Sequence, residues 1–144
     1  MSKNIILLIL LLPLISISTI GQEIKLEDLC VGFTCGISAK TTPLVNKIAD
    51  LTRDKKHSEI SKLLYTKNSG EIYLAIIVLE RLVKNKLYQF DEREKLFISR
   101  IKSSNMIVYN CLGCFSDTNS MNEMFLKENL IGEIEWLNKI LPFE

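Results

Sequence analysis

The chain has 144 residues, with 18 basic and 17 acidic side chains, one histidine and four cysteines. That length accommodates one domain. Charge is close to balance and no long block of one sign stands out, so there is no electrostatic footprint for nucleic acid or for an anionic membrane surface.

The first segment, "MSKNIILLILLLPLISISTIGQ", places Lys3 before an almost wholly apolar run from Ile5 to Ile15, followed by Ser16, Ser18, Thr19 and Gly21. A positive start, an apolar middle and small residues at the end are the order of a secretory signal. An uncleaved anchor is the competing reading. The run falls short of the roughly 20 residues that span a bilayer, however, and Pro13 interrupts it. No lipobox precedes a cysteine, so a lipid anchor is not expected. Cleavage between Gly21 and Gln22 would make the protein exported, periplasmic or secreted, with no stable membrane insertion afterwards. Residues 22–41 then form a cysteine-containing arm, and residues 42–144 a helical domain. Lys3 is the signal's one charge, so the rest of the chain is formally neutral.

Helical signals begin at "TTPLVNKIADL". Thr42 suits an N-cap and Pro43 the first helical position, where a missing N–H costs nothing. Leu44, Val45, Ile48 and Leu51 follow on one face. Ser58 offers a cap for a helix whose apolar side is Ile60, Leu63 and Leu64, and "TKNSG" reads as a turn. From Glu71 to Asn85 the chain is apolar nearly all round: Ile72, Leu74, Ala75, Ile76, Val78, Leu79 and Leu82 predict a helix at the centre of the core. Asp91 and Glu94 stand in capping-box spacing ahead of Leu96, Phe97 and Ile101. "SSNMIVYNCLGC" is ambiguous between strand and helix. Ser104 as a cap and Gly113 as a stop favour a short helix. A second capping box, Ser120 and Glu123, opens a stripe of Leu126, Leu130, Ile134, Leu137 and Leu141, with Gly132 as a point where it bends or splits and Pro142 as its end. No alternating strand pattern bounded by a hairpin turn stands out. The expected fold is all-α: a compact bundle of five or six helices.

The stretch "SEISKLLYTKNSGEIYLAIIVLERLVKN" resembles a HEAT-type helical repeat, with a short helix ending in paired leucines, a polar turn, and a longer helix holding Ala75 among aliphatics. "DEREKLFISRIKSSNMIVYNCLGC" resembles a second, poorer pair, so the likeness runs over roughly residues 58–114. It implies an antiparallel helix pair within the bundle and a protein that binds other proteins.

Cys30, Cys35, Cys111 and Cys114 make an even count in an exported chain, and four cysteines allow three connectivities. A zinc site fits the spacing but not an oxidising compartment. A haem attachment is excluded because Phe115, not histidine, follows Cys114. A redox centre at Cys111 and Cys114 would want the start of a helix after a strand, whereas here the pair ends an apolar segment. Two structural bridges from arm to helix are the expectation, Cys30–Cys114 with Cys35–Cys111 or the crossed pairing, with two local bridges as the alternative. Each long closure would be worth about 4–5 kcal/mol in the chain-entropy model.

Catalytic constellations are missing. His57, within "RDKKHSE", has the surroundings of a surface residue, and there is no nucleophile elbow, zinc-protease motif or glycine-rich phosphate loop. Glu92 and Glu94 read as helix-start charges, and Glu133 and Glu135 as the polar side of the last helix. Trp136, Tyr73, Tyr88 and Phe90 are core residues or, alternatively, anchors at a partner surface. The expected function is binding to another protein, of an immunity or inhibitor type, without metal or cofactor. A thiol–disulfide protein using Cys111 and Cys114, or a carrier of a small apolar ligand, are the alternatives. Intact-mass measurement of the exported protein checks the first step: it should begin at Gln22, and retention of Lys3 would refute the signal reading.

Overall fold

The computed structural model describes residues 25–126 and 130–143, so the signal and its cleavage point lie outside the described residues. After a 3-10 turn at Leu26–Asp28 come β1 (Val31–Cys35), α1 (Pro43–Arg53), α2 (His57–Leu63), α3 (Ser69–Lys84) and α4 (Glu92–Lys102). Strands β2 (Ile107–Gly113) and β3 (Phe115–Ser120) follow, then α5 (Met121–Leu126) and α6 (Glu133–Ile140). The strands form one sheet in the order β1-β2-β3, with β1 parallel and β3 antiparallel to β2.

Helix α3 is the centre. Asn68 caps it, its Oδ1 accepting from the N–H groups of Gly70 and Glu71. Leu74, Ala75, Ile76, Val78, Leu79 and Leu82 are fully buried. Because no side of α3 is polar for long, it is covered on several sides at once, by α1, α2 and β2. Pro43 opens α1 and Thr42 holds its N-cap position as expected, but the Thr42 side chain makes no capping hydrogen bond. Its hydroxyl donates instead to the Cys30 carbonyl at 2.8 Å, fastening the helix start to the residue before β1. The capping box at α4 is present, with Glu94 N–H donating to Asp91 Oδ1 and Asp91 N–H to Glu94 Oε2. Gly132 splits the last apolar stripe. It sits at φ +86°, and a Cβ there would press on Phe33 and Thr34 at 3.2 and 3.1 Å.

The three-stranded sheet overturns the all-α expectation. The segment expected as a short helix after Ser104 is strand β2, so the second helix pair of the HEAT-like reading does not exist. Ile107, Val108 and Tyr109 are β-branched or aromatic residues that pack well on a pleated surface. Ile107 and Tyr109 are exposed while Val108 and Asn110 are buried, the two-residue alternation of a half-buried strand. Leu112 pairs with Phe115, leaving Gly113–Cys114 as a two-residue turn with Gly113 at φ +55°. That is a glycine-first hairpin turn, so the "LGCF" read as a helix stop is the corner of a hairpin.

Of the two expected bridges, Cys35–Cys111 forms and Cys30–Cys114 does not. Cys35 and Cys111 are bridged, with Cα atoms 5.5 Å apart, whereas Cys30 and Cys114 are free: one bridge, not two. Register explains this. Val31 pairs with Asn110 and Cys35 with Gly113, so Cys30 precedes one end of the parallel ladder and Cys114 follows the other. Roughly four residues of strand, about 13 Å, separate those ends, well beyond the reach of a disulfide. The bridge spans 76 residues of sequence. Closing a loop of that length stabilises by up to about 4–5 kcal/mol in the chain-entropy model. Urea unfolding should show a clearly lower midpoint for Cys35→Ser or Cys111→Ser and an unchanged one for Cys114→Ser. Equal midpoints for all three would refute a stapling role.

Candidate functional site

Two carboxylates that read as solvated charges are inside the protein. Glu94 is buried and fully engaged: Ser61 Oγ and Tyr88 Oη donate to its Oε1 at 2.5 and 2.6 Å, and Asp91 N–H to its Oε2. It ties α4 to α2, and nothing about it calls for a ligand. Glu133 differs. It begins α6, is buried, and accepts from Tyr73 Oη of α3 at 2.5 Å and from the Leu130 N–H.

Glu133 lies in the wall of a cleft of 440 Å³ between α3 and α6, which also receives Lys102 from α4 and Phe125 from α5. Glu80 in the same cleft is paired with Lys102 at 2.6 Å. Burial raises the Glu133 carboxyl above its ordinary value, and the hydrogen bonds from Tyr73 and the Leu130 backbone oppose that rise without cancelling it. Burial and the neighbouring carboxyl push the Tyr73 phenol upward, so it stays a neutral donor. Arg81, on the next turn of α3 below Ile77, is also buried, and desolvation pushes its guanidinium down.

Trp136 is buried against Phe33, ring centres 5.1 Å apart, and Tyr73 is buried at Glu133. Tyr88 and Phe90 are half-buried and meet edge to face. Exposed apolar residues are spread over the surface, Ile37 and Leu126 among them, and four of them lie together on the β2–β3 hairpin: Phe115 is 80% exposed, Ile107 51%, Leu112 44% and Tyr109 41%. By strand alternation Ile107 and Tyr109 share one face, while the Leu112–Phe115 pair forms the tip beyond the end of the core. The sequence signal for this surface was the glycine turn between two apolar residues. Glu133 carried no comparable signal, because its burial depends on Tyr73, 60 residues away.

At the cysteines, the bridge from Cys111 to Cys35 leaves no local Cys111–Cys114 disulfide for exchange chemistry. Cys30 is buried, and burial raises its thiol, which disfavours the reactive thiolate. Among the described residues no three His, Cys, Asp or Glu side chains gather as a metal would need, and no helix is long and apolar enough to cross a membrane. The chain matches no family model, no curated protein and no solved structure.

The raised Glu133 carboxyl gives a signed pH effect. The folded chain holds this proton more tightly than the unfolded chain, so the contribution is fully present at low pH and is lost as pH rises above about 4.5. Glu133→Gln keeps an acceptor for the Tyr73 hydroxyl but removes the titration. Urea midpoints measured from about pH 4 to about pH 8 should fall more steeply for the parent than for this variant. Parallel curves would refute the assignment.

Proposed function

We propose that this chain is an exported interaction protein of the inhibitor or immunity type, which acts by inserting its β2–β3 hairpin into a partner protein. Phe115 carries the reading. A phenyl ring 80% exposed at the corner of a two-residue turn is a poor choice for a surface that meets only water, and it stands beside Leu112 rather than alone. A few buried aromatic anchors supply most of the energy in protein interfaces, and an aromatic at a protruding tip can reach a pocket that a flat surface cannot. The hairpin is also held in place. Cys111 within β2 is bonded covalently to Cys35, and β1 is fastened through Thr42 to the start of α1. A tip that is already ordered loses little further entropy on docking. The disulfide is compatible with the oxidising compartments to which a signal peptide leads. β3 is an edge strand, so its outward backbone groups can add a partner strand alongside the anchors.

Affinity capture from the periplasmic or extracellular fraction, with parent and Phe115→Asp baits side by side, tests this reading. The parent should retain a stoichiometric protein that the variant loses, with both baits melting at the same temperature. Identical captures by the two baits would sink it.

A further inference from the structure

The cleft between α3 and α6 holds a positive charge that the described residues do not balance. Arg81 is only 7% exposed, yet its hydrogen-bond acceptors are neutral: Nη1 donates to Asn138 Oδ1 at 2.8 Å and to the Leu141 carbonyl at 3.3 Å. Its guanidinium also lies 3.7 Å from the centre of the Phe143 ring. Among the described residues no carboxylate forms an ion pair with it. The two acids of the cleft are committed elsewhere, Glu80 to Lys102 and Glu133 to Tyr73 and the Leu130 N–H. A buried cation is costly unless an anion faces it, and a guanidinium has five N–H donors, of which this one's Nη1 serves both protein acceptors. Lys84, one helical turn on, lines the same cleft, is exposed, and has no partner among the described residues. Beside these cations the lining is mixed: Ile77, Ile134 and Leu137 give it an apolar stretch, and Glu80, Lys102 and Glu133 a polar one.

We propose that this cleft binds a carboxylate-headed amphiphile of the fatty-acid class, the head between Arg81 and Lys84 and the chain against Ile77, Ile134 and Leu137. A volume of 440 Å³ is in the range of small-molecule sites. The site is separate from the hairpin and does not depend on a protein partner.

Isothermal titration of the exported protein with decanoate, and separately with decyltrimethylammonium, tests it. Decanoate should bind saturably, one per chain, with a Kd below about 1 mM, and the cationic amphiphile should not bind. Lys84→Gln should weaken decanoate about threefold to fivefold, the scale of an exposed ion pair. Ile134→Glu, at a half-exposed wall position, should weaken it more than about tenfold by placing an anion where the chain lies. Phe115→Asp should bind decanoate as the parent does, which separates this result from failure of the hairpin reading. Equal thermal midpoints will show that the variants are folded. Absence of saturation, equal uptake of the two amphiphiles, or unchanged binding by both Lys84→Gln and Ile134→Glu would overturn the proposal.

Discussion

Everything in this molecule is arranged around a helix that cannot face water. From Ile72 to Leu82, α3 carries almost no polar position, and every large apolar side chain in that run is buried. Each such side chain contributes about 1.5–3 kcal/mol when fully buried, so a single covering layer would leave much of that stabilisation unrealised. Helices α1 and α2 cover part of the surface. Another part is closed by β2, whose Val108 is fully buried in the same core, and Tyr73 meets Phe125 of α5 and Glu133 of α6. The sheet is thus a lid on α3, and its outer side and tip are what remain in solvent.

Covering α3 also brings polar groups inside, and the protein treats them unequally. Glu94 is surrounded by donors and anchors α4. Glu133 is held by one phenol and one backbone N–H, at the cost of a carboxyl shifted towards its neutral form. Arg81 has neutral acceptors and a ring, but no anion among the described residues. A buried network is stabilising when every member is satisfied and costly when one is not. The unbalanced member here opens onto a cleft whose lining mixes charged and apolar side chains.

The hairpin is tied back at the place where it leaves the core. β1 reaches β2 from the far end of the chain, and the Cys35–Cys111 bond lies across that parallel pair. Parallel pairing between such distant segments carries a large closure entropy, and the covalent bond removes part of it from the unfolded state. The free Cys30 and Cys114 lie at opposite ends of the same ladder, where strand length keeps them apart.

Much of the helical framework was legible from local chemistry. Pro43, the capping box of Asp91 and Glu94, the all-apolar run of α3 and the break at Gly132 each act within a few residues, so their consequences can be read directly. The hairpin lay within reach, since a glycine-first turn between Leu112 and Phe115 is a local signal. It lost to the helix reading because a short apolar run has no decisive period of its own. By itself the sequence determined most of the helical segments and which helix must be central, while the starts at His57 and Ser69 lay a residue or two from the caps it suggested. Only the tertiary structure decided that residues 31–35 would pair with residues 110–113, that Cys35 would meet Cys111, and that Glu133 would be buried under Tyr73. Those contacts join segments roughly sixty to eighty residues apart, and their free energy comes from covering α3 as a whole, which no local pattern records.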